Sequence, residues 1–179
     1  MQQILAFGQP LGGVVQMAYT VPDLDAAVRY WTDVMRVGPF FLLDSSMIED
    51  AHYRGSPTHV QLRAGLAWSG TMCIELIEQT NAAPSVYAEL IAAHGHGFHH
   101  VALATRDIDA DIARFEAQGA PAAFTGRVIV GDRFAYMDTT AALGAMVELI
   151  ATNDKVEQLF AHMKQAAERW DGRERVASA

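Results

Sequence analysis

Four polar side chains interrupt strand-like runs of the sequence: Gln16 between Val15 and Met17, Glu75 between Ile74 and Leu76, His100 between His99 and Val101, and Glu148 between Val147 and Leu149. An extended chain alternates its faces residue by residue, so each of the four points away from its two neighbours. An amide oxygen, an imidazole and two carboxylates form a donor set that suits Zn, Ni, Co, Mn or Mg. Two buried carboxylates without a nearby cation would be costly to keep ionised. A divalent ion held by Gln16, Glu75, His100 and Glu148 removes that cost, provided the fold gathers them on one face.

An internal repeat would gather them. A shift of 84 residues lays "QMAYTVPDLDAAVRYW" on "HVALATRDIDADIARF", placing Gln16 on His100, Asp23 on Asp107, Val28 on Ile112 and Trp31 on Phe115. In each copy a strand-like run leads into an Asp-apolar-Asp start. Asp23 or Asp107 can cap the helix nitrogens there, and an acidic first turn suits the helix dipole. Leu24, Ala27, Val28 and Trp31 share one helical face, as do Ile108, Ile112 and Phe115. "VGPF" and "QGAP" then break the two helices.

Three short strands are predicted after each break: "FFLLD", "THVQLRAGLAW" and "TMCIELIEQ" in the first copy, "AAFTGRVIV", "RFAYMDT" and "GAMVELIAT" in the second. Glu75 meets Glu148 only at a shift of 73, so the second copy is shorter, and the polar stretch "IEDAHYRGSP" (48–57) is read as an insertion in the first. The expected architecture is α+β: two tandem βαβββ modules, 14–79 and 98–152, forming a curved mixed sheet around a concave cleft in one domain. A linker over 80–97 carries a short helix through Leu90. A C-terminal helix is expected over 153–170 and a flexible tail over 171–179. Val156, Leu159, Phe160, Met163 and Trp170 give that helix an apolar face to dock on the sheet or on a second subunit.

At 179 residues and 51% hydrophobic, the chain suits one packed domain. A net charge of −8 argues against nucleic acid or an anionic membrane as partner. Cys73 is the single cysteine, which excludes a disulfide framework and a thiolate cluster. No apolar run approaches the ~20 residues that span a bilayer. "MQQILAFGQPLGG" lacks the basic start and apolar core of a signal peptide. The expectation is a cytoplasmic protein whose partner is a small molecule.

The stretches "VVQMAYTVPDLDAAVRYWTDVMRVGPF", "CIELIE", "GFHHVALATRDID" and "GAMVELI" resemble the vicinal oxygen chelate superfamily, the glyoxalase, bleomycin-resistance and dioxygenase fold. The resemblance covers Val14 to Ala151. It implies metal ligands at Gln16, Glu75, His100 and Glu148, and a homodimer. The order Gln, Glu, His, Glu is similar to that of zinc glyoxalase I enzymes, whereas His99-His100 and the "VGPF" turn are similar to methylmalonyl-CoA epimerases. Extradiol dioxygenases carry histidine where Gln16 stands, which argues against ring cleavage with iron. Arginines that hold glutathione in glyoxalase I are replaced by Thr20 and His96. Arg54, Arg63, Arg127 and Arg133 are scattered rather than clustered for the phosphates of coenzyme A.

The implied activity is a metal-dependent glyoxalase- or epimerase-like isomerase or lyase that transfers a proton next to a chelated carbonyl. Glu148 is the first choice of base and Glu75 its partner. The alternatives are a non-catalytic, antibiotic-type binding or resistance protein of the same fold, and a descendant that no longer binds metal. Met17, Phe40, Phe41, Met72, Phe124, Tyr136 and Met146 are candidates for an apolar pocket wall. His99 and His100 are expected not to face inward together, so one of them is read as supporting the other from behind, as exposed or as a satisfied core histidine, and Glu78 is expected to face solvent.

Overall fold

The computed structural model describes residues 3–128 and 133–177. The first copy runs β1 (Val14–Thr20), α1 (Leu24–Asp33), β2 (Phe41–Asp44), β3 (Ile48–Tyr53), β4 (Ser56–Pro57), β5 (Leu62–Ser69) and β6 (Met72–Gln79). Helix α2 (Val86–His94) links it to β7 (Gly97–Thr105), α3 (Ile108–Glu116), β8 (Ala122–Val128), β9 (Arg133–Met137), α4 (Thr140–Leu143) and β10 (Met146–Ala151). Helix α5 (Asp154–Arg169) follows. The run "AAFTGRVIV" is strand as far as Val128; Ile129 and Val130 lie outside the described residues, as do 178–179 of the tail.

The helix starts follow their caps. Asp23 accepts from the Ala26 amide at 2.8 Å and Asp107 from the Ala110 amide at 3.0 Å, so the repeated Asp-apolar-Asp pattern sets both copies' helices. Ser85 caps α2 in the same way, and Gly95, at φ 81°, ends it beyond His94 rather than at Leu90. Glu78 does not face solvent. Its carboxylate accepts from the Leu24 amide at 3.1 Å, at the positive end of α1, and pairs with Arg63.

The described strands form one mixed sheet in the order β2-β5-β6-β1-β7-β10-β9-β8-β3-β4. The α+β architecture of two βαβββ copies around a curved sheet is therefore present. The copies join edge to edge through antiparallel β1 and β7 of the same chain. The stretch 48–57, expected as a polar insertion, is instead a hairpin that crosses to the second copy. There β3 pairs with β8, Ile48 opposite Val128 and Tyr53 opposite Phe124. Strand β2 lies at the opposite edge of the sheet, and only the 3₁₀ turn Ser45–Met47 separates it from β3. The four Cα–Cα steps from Asp44 to Ile48 reach about 14 Å at most, so the sheet curls until its two flanks come close.

Helices α1 and α3 cover the outer face in equivalent ways. Leu24 and Val28 pack on Ile74 and Leu76, and Ile108 packs on Val147 and Leu149. On the inner face α5 sets Val156, Phe160 and Met163 against Leu5, Phe7, Phe41, Leu66 and Trp68. Of the two docking sites expected for this helix, it takes the sheet. Helix α2 adds Val86, Tyr87 and Leu90 to a second inner cluster with Phe124, Phe134, Tyr136 and Met146. Beyond α5, Arg175 pairs with Asp33 at 2.9 Å and Val176 bridges to Phe40. No described helix is long and apolar enough to cross a membrane.

Candidate metal centre

The register of the inner strands decides which side chains meet. In parallel β1 and β6, Gln16 stands opposite Cys73 and Ala18 opposite Glu75. In parallel β7 and β10, His100 stands opposite Met146 and Ala102 opposite Glu148. Each copy thus offers one donor and one carboxylate two residues out of step, on the same face. The β1–β7 junction brings the two pairs together.

Gln16 donates its amide to Glu75 Oε2 at 2.8 Å. His100 Nε2 lies 3.4 Å from Glu75 Oε2 and 3.2 Å from Glu148 Oε2, ion-pair distances without the alignment of hydrogen bonds. One ligand atom each from Glu75, His100 and Glu148 falls within 4.8 Å of the others. Gln16, His100 and Glu148 are buried. All four residues singled out in the sequence therefore converge.

Charge is strained in this space. Burial works against a charged His100, but the Glu148 and Glu75 carboxylates outweigh it and raise its pKa to about 9. Burial pushes the Glu75 carboxyl above the usual range, against the opposing pull of His100. Gln16 Oε1 and His100 Nε2 are buried without a hydrogen-bond partner among the described residues. An orphaned buried polar atom costs about 1–3 kcal/mol, and of the four among the described residues, which include Trp68 Nε1 and Thr152 Oγ1, these two belong to the candidate donor set. A divalent cation fits these residues: it would satisfy both atoms and neutralise the paired carboxylates.

His99 corrects the expectation drawn from strand alternation. Ala18 faces His100 while Tyr19 faces Phe98, so β7 carries a bulge at this point. The extra residue lets both imidazoles turn into the interior, and each is 0% exposed. The two Nδ1 atoms are 2.9 Å apart, and His99 Nε2 lies 3.2 Å from the Val86 carbonyl. The His99 ring stacks on Tyr87, centroids 4.8 Å apart. Burial and then the neighbouring His100 lower its pKa to about 3, so it is neutral.

A cavity of about 170 Å³ opens against Gln16, Glu75 and Glu148. Its other walls are mainly apolar, with Phe41, Leu66, Ile77, Phe134 and Phe160 among them. Of the expected wall residues, Phe41 and Tyr136 line it. Met17, Phe40 and Met72 pack under α1, and Phe124 and Met146 sit in the core behind Tyr136. The contributions of α5 and Tyr87 were not foreseen. The helix's apolar stripe was legible, but nothing local shows that part of it faces a void. Tyr87 donates to the Tyr136 hydroxyl at 2.9 Å.

Of the scattered arginines, Arg133 is the one that also lines the cavity. Arg54 pairs with Glu89 and Asp138, Arg63 with Asp25 and Glu78, and Arg133 with Asp109. Thr20 bonds to the backbone of Gly97, and His96 is exposed.

Comparison with known proteins agrees with the fold. The sequence profile of the Glyoxalase/Bleomycin resistance protein/Dioxygenase superfamily matches residues 15–136. A 2-epi-5-epi-valiolone epimerase from Actinomyces sp. is 32% identical over 155 residues, 80% of this chain and 82% of that protein. Methylmalonyl-CoA epimerase from Mycobacterium tuberculosis superposes with a TM-score of 0.61 at 20% identity, covering 83% of this chain and 93% of that one. A Streptomyces coelicolor methylmalonyl-CoA epimerase variant in complex with 2-nitronate-propionyl-CoA gives 0.59 at 21% identity, covering 81% and 97%. The βαβββ repeat, its meeting at β1 and β7 and the matched profile lead to one conclusion: this chain belongs to the glyoxalase/bleomycin resistance/dioxygenase superfamily.

Proposed function

We propose that the protein is an epimerase-type isomerase that moves a proton at the carbon next to a carbonyl of a small, fairly hydrophobic substrate. Gln16, Glu75, His100 and Glu148 would hold a divalent ion (Zn, Ni, Co, Mn or Mg). The observation that carries the reading is the approach of Glu75 and Glu148 to the same nitrogen of His100, against one largely apolar cavity. The 32% identity to an epimerase supports the same reaction class.

When bound, the ion supplies Lewis-acid stabilisation of negative charge on the substrate's carbonyl oxygen. Glu148, as carboxylate, takes the α-proton. Glu75, in its protonated form, returns a proton to the opposite face. One carboxyl gains the proton that the other loses, and exchange with solvent resets the pair. The apolar walls keep water from the reacting carbon. Two acids related by the internal twofold suit inversion at one carbon, whereas return by a single base would give glyoxalase-type isomerisation. The setting proposed is a cytoplasmic homodimer, for which light scattering gives the mass.

Deuterium uptake at the α-carbon of candidate ketones and thioesters in D₂O is the test. Uptake that disappears in Glu148→Gln supports the proposal. The largely apolar cavity also suits a second reading, sequestration of a hydrophobic small molecule. Tight stoichiometric binding without deuterium uptake would establish that reading in place of the first.

A further inference from the structure

We propose that His99 is a positioning residue that fixes which nitrogen of His100 carries a proton, leaving the Nε2 lone pair of His100 free to face Glu75 and Glu148. The inference rests on the metal reading of that site.

The argument begins at a backbone carbonyl. The oxygen of Val86 can only accept, so His99 Nε2, 3.2 Å away, must be the nitrogen that carries hydrogen. A neutral imidazole has one N–H, so His99 Nδ1 is left as an acceptor. Among the described residues, the polar atom it meets is His100 Nδ1, at 2.9 Å. Two acceptors cannot share that distance, so His100 Nδ1 carries hydrogen and donates it. When His100 gives up its second proton in favour of a cation, the hydrogen it keeps is the one on Nδ1, and the lone pair is left on Nε2, the atom beside both carboxylates. The chain of hydrogen bonds runs one way: His100 to His99, His99 to Val86.

A metal-binding imidazole ordinarily donates its other N–H to a fixed acceptor, which orients the ring and sets its tautomer. Here a second imidazole fills that role, and the β7 bulge is what turns it to the same side. Stacking on Tyr87 and burial at 0% exposure hold His99 in place. Its anchor is the first residue of α2, so the start of that helix is coupled to the candidate ligand set.

Two substitutions separate positioning from packing. His99→Phe keeps an aromatic ring on Tyr87 but has no acceptor. His99→Asn loses the ring but sets a carbonyl oxygen where Nδ1 stood. Zn²⁺ affinity is measured by chelator competition for each folded variant, with melting temperature alongside. We expect Phe to weaken zinc about 10–100-fold and Asn to stay near wild type. The reverse order, Asn weak and Phe unchanged, would reduce His99 to a packing residue and overturn the proposal. Imidazole ¹⁵N spectra of the metal-free wild type give an independent readout. Hydrogen on His99 Nε2 with a bare Nδ1 supports the relay, and the opposite tautomer overturns it. Absence of zinc binding in the wild type would instead sink the metal reading, while the nitrogen spectra still decide the relay.

Discussion

His100 and Glu148 stand on neighbouring parallel strands two residues out of step, His100 opposite Met146 and Glu148 opposite Ala102. Gln16 and Glu75 repeat that offset on β1 and β6. One local solution, a donor on the module's first strand and a carboxylate on its last, is thus used twice. The copies differ in one respect: the first supplies a neutral amide where the second supplies an imidazole. Only the second copy's donor can take up a proton, which makes the centre asymmetric under its internal twofold.

Removing a donor should empty the centre. His100→Ala and Glu148→Gln are each expected to lower divalent-metal affinity by more than the roughly 10–100-fold that loss of an outer-shell partner costs. Equilibrium dialysis followed by elemental analysis checks this. A wild-type stoichiometry retained by both variants would place the ion elsewhere.

Proton competition should be visible in metal binding. Without metal, His100 holds its proton up to about 9 because the two carboxylates stabilise the charged ring. Ligation needs the neutral ring, so binding at pH 7.5 should release nearly one proton. Apparent affinity should fall about tenfold for each pH unit below about 9. Calorimetry in buffers of different ionisation heat counts the proton directly. An affinity flat between pH 7 and 9 would contradict the assignment of His100 as ligand.

The Tyr87–Tyr136 hydroxyl pair, 2.9 Å apart and buried, ties α2 to the sheet behind the centre. Tyr136→Phe leaves the Tyr87 hydroxyl without its partner and should cost about 1–3 kcal/mol in urea denaturation. The double change to phenylalanine should restore part of that loss, since no orphan hydroxyl then remains. Equal additive losses in the two singles would show that the hydroxyls do not depend on each other.

Much of this organisation was written locally. The shifts of 84 and 73 place the four polar residues at equivalent points, and the observed register pairs them in that way. Asp23 and Asp107 act through a helix turn of three residues, which is why their role could be read directly. What escaped depends on distant partners. Ile48 to Tyr53 carry no mark that their partner is β8, more than 70 residues on. The bulge at His99 exists only against β1. Glu78 reads as an outward strand residue until α1 sets its first amides above it. In each case the deciding contact is long-range, so neither the repeat shifts nor strand alternation could show it.

Helix α5 tests whether cavity and centre are separable. Phe160 lines the cavity and packs on Phe7 at 5.3 Å and Trp68 at 6.2 Å between ring centroids. Truncation in Phe160→Ala removes a buried ring from the cluster that docks the helix, for an expected loss of about 3–5 kcal/mol in chemical denaturation. The four polar residues, however, come from β1, β6, β7 and β10, none of them from α5. Zinc affinity at a temperature where the variant is folded should therefore match wild type, while binding of an apolar ligand weakens. A parallel loss of metal would mean that α5, and not the sheet register, holds the carboxylates in place.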